Sequence, residues 1–389
     1  LSNDWTKWNY PTSVRFGVGV IAQLGDALAE LGVKRPLLIT DAFLATLPMV
    51  QDILTALAVE GFEPGLFGEA TPNPSGEDVS KANEAIRAGN HDGVIAFGGG
   101  SAIDVAKAAA LAAHQVRPLW DFEDIGDNYL RVDAAKMLPV VAIPTTSGTG
   151  SEVGRASVII ERATHTKRII FHPNMLPARV VADPSLTVGL PPALTAAVGM
   201  DALSHNLEAL CAPGYHPMAD GIATEAISLI HGSLLRAFQD GNDIEARRDM
   251  MAASLMGATA FQKGLGAMHA MAHPIGAVHG APHGLTNAIL MPYVLAYNRT
   301  AIDDKMCRLG RVLGLASPGF DGVQSWVLSL RKQLGIPHTL SSLGLERIDL
   351  VKLVPLALAD AAAGGNPVVL TPDGVMKMLE SAWSGNLGQ

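Results

Sequence analysis

Cysteine, charge and aromatic side chains are all scarce in this chain, and each scarcity removes a class of explanation. Two cysteines, Cys211 and Cys307, occur in 389 residues, too few and too far apart for a disulfide framework or a cysteine metal site. They fit a reducing compartment, so the cytoplasm is the expected location. Charged residues make up 17% of the chain, and 37 acidic against 28 basic residues leave a formal net charge of −9. No basic field exists to recruit nucleic acid or an anionic membrane surface. No apolar run approaches the roughly 18–20 residues of a membrane span, and the first ten residues lack the apolar core of a secretory signal. What is plentiful is apolar side chain, 48% of the composition. Over this length that supports about two domains, each with its own core.

Two regimes follow one another along the chain. The first half alternates short apolar runs with amphipathic ones. A helical period covers Gly19 to Leu31, the strand Pro36–Thr40 follows and ends at Asp41, and a second helix spans about Met49 to Val59. Phe62–Phe67 reads as a strand, and Ser75 with Asp78 forms a capping box opening a helix to Arg87. The apolar strand Gly93–Phe97 runs straight into Gly98, Gly99, Gly100 and Ser101 and then a helix from Ala102 to Ala113. Further strands are expected at Pro139–Ile143, Ala156–Ile160, Arg168–Phe171 and Arg179–Ala182. Continuous apolar strands alternating with helices predict a mostly parallel sheet covered on both faces. Beyond Pro192 the chain reads as helices: 194–210, 219–238, 244–261, 283–298, 303–313, 322–334, 347–358 and 372–384. The expected division is therefore an α/β domain over 1–187 and an all-helical domain over 188–389.

Four stretches carry chemistry. His269, His273, His279 and His283 fall within fifteen residues, a third of the twelve histidines in the chain. Imidazole is a common ligand for transition metals, and side chains four apart share a helical face. Upstream, Asp201 and His205 form another such pair inside an apolar helical run, and a carboxylate with imidazoles makes a plausible first shell for Zn²⁺ or Fe²⁺. In the first half, the glycine turn at Gly98–Ser101 opens a helix whose free N–H groups and positive end suit a phosphate. Asp104 reads either as a reciprocal cap or as a polar cofactor contact. Asp41, at the end of a buried strand, reads either as a turn residue or as an acceptor for a ribose 2′-hydroxyl, which would favour NAD over NADP. The loop Pro144–Glu152 offers hydroxyls to phosphates or a nicotinamide amide, or is simply a Ser/Thr-rich turn.

Taken together, Gly98–Lys107, Pro144–Glu152, Gly199–His205 and the His269–His283 segment resemble the iron-dependent, group III alcohol dehydrogenases, in the family's order and over essentially the whole chain. The resemblance implies a dehydroquinate synthase-like fold: a Rossmann-like α/β dinucleotide-binding domain, an all-α metal-binding domain and a catalytic cleft between them. It implies metal ligation by Asp201, His205, His269 and His283, with His273 beside the substrate and nicotinamide and no ligand role for His279. It implies cofactor contacts at Asp41, Asn73, Gly98, Gly99, Gly100, Ser101, Thr145, Thr146, Thr149 and Lys167. Gly154 departs from the pattern, in which Thr commonly follows Ser-Glu-Val.

The expected activity is NAD-dependent hydride transfer between a small alcohol and its aldehyde or ketone, with Fe²⁺, or alternatively Zn²⁺, as Lewis acid. The apolar neighbours Met268, Met271, Ile275 and Val278 favour an uncharged substrate. Competing readings are a polyol dehydrogenase or maleylacetate-type reductase of the same superfamily, a metal-dependent hydrolase, and a non-catalytic nucleotide binder. A homodimer is expected if the aromatic arm around Trp5, Trp8 and Tyr10 pairs with a partner's edge strand.

Overall fold

The computed structural model describes residues 9, 11–164 and 166–387, and the chain divides into two compact units. The aromatic arm at Trp5, Trp8 and Tyr10 lies outside the described residues. Among the described residues, no helix is long and apolar enough to cross a membrane.

The first unit comprises residues 11–146 and 150–187. Its sheet has six strands, β1 (Ser13–Phe16), β2 (Pro36–Asp41), β3 (Gly65–Ala70), β4 (Gly93–Gly98), β5 (Val140–Pro144) and β8 (Arg179–Ala182), in the order β1-β8-β5-β4-β2-β3. Every pairing in it is parallel. Strand alternation sorts the side chains into two cores. Leu37, Ile39, Val94, Ala96, Val140 and Ala142 face α3 (Gly76–Ala88) and α4 (Gly100–Ala112). Leu38, Ile95, Phe97, Val141 and Ile143 face α1 (Leu24–Ala29) and α2 (Pro48–Val59). Both faces being buried is why these strands read as continuous apolar runs. The chain leaves β2 towards β3 and returns through β4 on β2's other side. The C-terminal ends of β2 and β4 therefore flank a topological switch point, where open α/β sheets bind ligands.

Several expected elements differ in detail. β1 had not been anticipated; it is an edge strand with only a partly buried, four-residue pattern. The helix expected from Gly19 begins as a 3₁₀ turn and becomes α-helical only at Leu24, because Gly19 is left-handed with φ 80°. The strand expected at Phe62 starts at Gly65, since the Phe62 N–H still donates to Leu57 O and closes α2. β6 (Ala156–Glu161) and β7 (Thr166–Phe171) form a separate antiparallel pair instead of joining the main sheet. Only a short turn connects them, and a parallel pairing needs a longer crossover.

The second unit comprises Asn9, residues 147–149 and residues 188–387 as described, and is helical. Its helices are α5 (Pro192–Cys211), α6 (Pro217–Gln239), α7 (Ile244–Ala260), α8 (Ala267–His279), α9 (His283–Val312), α10 (Phe320–Gln333), α11 (Leu350–Ala359) and α12 (Pro372–Ser384). They share one apolar core. α5 is central: every residue from Gly199 to Cys211 is buried, which explains its lack of a polar face. The two helices expected at 283–298 and 303–313 are a single helix, α9. Leu295, Asn298, Ile302, Met306 and Leu309 continue one buried stripe through the exposed turn at 299–301.

Candidate metal centre and dinucleotide site

In the helical unit, three elements bring four side chains to one point. α5 contributes Asp201 and His205 one turn apart, α8 contributes His269, and α9 opens with His283. One potential ligand atom from each lies within 4.8 Å of all the others. Gly284 permits this approach: a Cβ there would sit 2.4 Å from Ala197 O on α5 and 3.1 Å from the Asp201 Cβ.

The start of α8 is held by distant side chains because Gly266 supplies no cap. Glu208 Oε1 accepts the Met268 N–H at 2.7 Å, and Asn366 Oδ1 accepts the Ala267 N–H at 3.2 Å. The other Glu208 oxygen, Oε2, accepts His269 Nδ1–H at 2.7 Å. That bond fixes the tautomer and leaves the His269 Nε2 lone pair available to a metal, the arrangement that metal-bound imidazoles commonly use. Burial holds His269 well below its ordinary pKa, so the ring is neutral as a ligand must be. Burial also pushes Glu208 up to about 7, opposed by the backbone N–H groups it accepts.

Whether these residues fit a divalent ion can be judged from Asn287, four residues after His283. Its Nδ2 lies 2.9 Å from Asp201 Oδ1 and 3.2 Å from both His269 Nε2 and His283 Nε2. Three acceptors converging on a single donor is how a cation would be received. His205 Nδ1 is buried without a hydrogen-bond partner among the described residues. One carboxylate with three imidazoles suits Fe²⁺ or Zn²⁺, so the donor set fits.

His273 lies outside the four-atom cluster but against it. Its ring stacks on His283 with centroids 5.3 Å apart and planes 11° apart, and its Nδ1 donates to Asp360 Oδ2 at 2.9 Å. His279, the last residue of α8, is not in the cluster. Met268, Met271 and Ile275 are buried in the helical core, leaving only Val278 exposed. The apolar flank of the histidine segment therefore reflects packing and says little about substrate.

In the α/β unit, Asp41 and Gly98–Ser101 stand at the switch point. Asp41 ends β2, and its Oδ1 accepts the N–H groups of Phe43 and Leu44, both at 2.9 Å. Gly98, at φ 144°, ends β4 in a conformation that disfavours side chains, and Gly100 and Ser101 begin α4. The Thr145 N–H donates to Gly98 O at 3.0 Å, and a Cβ on Gly99 would lie 3.3 Å from Thr146 Oγ1. The glycine turn and the start of the hydroxyl-rich loop are thus side by side. Thr149 belongs to the three-residue segment grouped with the helical unit. Asn73 sits in a turn at φ 54°, and Ile160 N donates to Pro74 O beside it at 2.7 Å. Ile160 pairs with Lys167 across the β6–β7 hairpin, so Asn73 and Lys167 are neighbours through the backbone. Asp104 faces elsewhere: Oδ1 accepts Ser151 Oγ at 2.5 Å and Oδ2 accepts the Val158 N–H at 2.9 Å.

Sequence reasoning passed over Glu208, Asn287 and Asp360. Glu208 and Asn287 stand three and four residues after a ligand on the same helix, a spacing that could have flagged them. Asp360 is 87 residues from His273, and nothing local connects them.

The family profile of iron-containing alcohol dehydrogenases matches residues 11–184, and that of the family's C-terminal domain matches 195–383. The chain belongs to the iron-containing alcohol dehydrogenase family. Within it, the chain is 38% identical to a 4-hydroxybutyrate dehydrogenase of Cupriavidus necator, over 96% of this chain and 98% of the relative. It is 32% identical to an NAD-dependent methanol dehydrogenase of Bacillus methanolicus, over 97% and 100%. The solved structure of a 1,3-propanediol oxidoreductase superposes with a TM-score of 0.92 at 32% identity, covering 97% of this chain and all of the other. This member of the alcohol dehydrogenases thus has the family's parallel-sheet α/β unit, its helical unit and a candidate metal cluster.

Proposed function

We propose that the protein catalyses NAD-dependent, reversible hydride transfer between a small alcohol and its aldehyde or ketone. Residues 1–187 would serve dinucleotide binding, and 188–389 metal binding and catalysis. The observation that carries this reading is the convergence of Asp201, His205, His269 and His283, with the His269 tautomer set by Glu208. When bound, a divalent ion there supplies the Lewis acidity that eases alcohol deprotonation, and a nicotinamide accepts the hydride. The chain's own groups do the rest. Asp201 and the three imidazoles hold the ion. His273 donates Nδ1–H to Asp360, which leaves Nε2 as the atom that takes up the alcohol proton. In the α/β unit, Gly98–Ser101 and the N-terminus of α4 receive the diphosphate, with Thr145 and Thr146 supplying further donors. Asn73 and Lys167 line the same cofactor. The second oxygen of Asp41 is free of its turn and accepts from the adenosine ribose, which favours NAD over NADP.

A hydrolase could use the same cluster with His273 as its base, but it would leave the Gly98–Ser101 turn without a task. Two free cysteines support a cytoplasmic setting, and β1 leaves a sheet edge for a homodimeric pairing.

The test is metal content of protein purified without chelator, with NAD reduction followed over short primary alcohols, diols and 4-hydroxybutyrate. About one metal per chain, activity lost on chelation and restored by Fe²⁺ or Zn²⁺, is the expected result. Alcohol oxidation that persists in metal-free protein would refute the Lewis-acid role.

A further inference from the structure

One turn beyond the glycine turn, α4 carries a buried ion pair that the reading above leaves without a task. The Lys107 side chain has no exposure at all, and its Nζ lies 3.5 Å from Asp104 Oδ1. A buried ammonium is costly unless each N–H finds an acceptor. Here the acceptors are backbone carbonyls of one irregular limb: Ser151 O at 2.9 Å, Gly154 O at 3.5 Å and Ala156 O. Asp104 grips the same limb through Ser151 Oγ, and the strand β6 that continues it through the Val158 N–H. Both of its oxygens are therefore committed to the protein. Glu152, fully buried within the limb, completes the cluster.

This limb is the far end of the loop that starts at Thr145. The near end rests on the glycine turn, through the Thr145 N–H to Gly98 O bond and the Gly99–Thr146 contact. The loop is thus held at its start by the turn between β4 and α4, and at its far end by α4 itself. Apolar packing would bury the limb without fixing its carbonyls. A cation with three directed N–H groups fixes them.

We propose that Asp104 and Lys107 are positioning residues that clamp the Ser151–Ala156 limb to α4 and so hold Thr145 and Thr146 at the spacing from Gly98–Ser101 that a dinucleotide diphosphate requires. The clamp rests on the dinucleotide reading above. Asp104 acts through Ser151 and Val158 and touches no cofactor.

The experiment is titration of the purified enzyme and its variants with NADH, followed by fluorescence, beside KM for NAD, kcat and metal content. Asp104→Ala removes both acceptors that hold Ser151 and Val158, and Lys107→Met removes the cation. Each should raise the NADH Kd roughly tenfold, the effect of losing a charge-assisted hydrogen bond. Ser151→Ala, the mildest change, should raise it about two- to threefold, and adding it to Asp104→Ala should cost less than it does in the wild-type background, because the bond between the two is already gone. KM for NAD should rise more than kcat falls, with metal content unchanged. Should Lys107→Met fail to fold, the Asp104–Ser151 pair of variants decides. Folded variants with a lowered melting temperature but wild-type NADH affinity would reduce the pair to a purely structural role and overturn the clamp. Wild-type enzyme that binds no NADH would overturn the dinucleotide reading itself, and the clamp with it, before any variant is compared.

Discussion

At Glu208 two demands meet on one carboxylate. Oε1 caps the start of α8 and Oε2 orients His269, so helix placement and ligand tautomer depend on the same side chain. Glu208→Gln cannot satisfy both, because the amide has one acceptor and would turn its NH₂ towards either Met268 N–H or His269 Nδ1–H. Metal affinity should fall roughly 10- to 100-fold, as for other partners behind a ligand. Competition against a chromophoric chelator measures this, and an unchanged dissociation constant would show that His269 needs no such support. Of the four candidate ligands, Asp201 and His205 were legible at helical spacing, whereas the choice of His269 and His283 over His273 and His279 came from the family resemblance. The ligands' partners were less legible, since a lone Glu or Asn on an apolar helix has no distinctive pattern, and Asp360 comes from a remote part of the chain. Asp104 illustrates the opposite limit. Its place one turn after the glycines admitted either a cap or a cofactor contact, and the surrounding structure directs it to Ser151 and Val158.

Between elements, the tightest constraint on the metal centre is the approach of α9 to α5. Gly284 follows a ligand directly, and its missing Cβ is the space that Ala197 O occupies. Gly284→Ala should force the helices apart, costing about 1–3 kcal/mol as overpacking does, and carry His283 away from Asp201. The expected outcome is a lowered unfolding midpoint in metal-free protein together with weakened metal binding. A variant that binds metal as well as wild type would mean that the helices adjust elsewhere. Helical period and the Ser75–Asp78 capping box located most elements in advance, since these depend on neighbours three or four residues apart. The division of α9 into two helices was a misreading of an exposed polar turn as a break. Only the buried stripe on its other face, set by tertiary packing, carries the helix through.

Across the molecule, buried carboxylates give stability a pH dependence of definite sign. Glu152 is pushed up to about 7 from its ordinary 4.5 by burial. The folded state therefore binds more protons than the unfolded state between these values. Its contribution is full below about pH 4.5 and is lost as pH rises through about 7, at up to roughly 1.4 kcal/mol per pH unit. Glu152→Gln should flatten the fall in urea midpoint of metal-free protein between pH 5 and 7.5. Parallel wild-type and variant profiles would show that Glu152 is not protonated in the fold. At this scale the sequence by itself determined a great deal: the α/β and helical regimes, because strand and helix periods are local; the absence of a basic field or membrane-spanning run, because these are compositional; and the family, because its four motifs survive in order. The tertiary structure decided which residues cooperate. Glu208 with His269, Asp360 with His273, Gly284 against Ala197 and Lys107 under Ser151 are pairings set by packing between segments distant in the chain. Hydrogen-bond partners and close approaches across such distances depend on the three-dimensional path of the backbone, which no local pattern encodes.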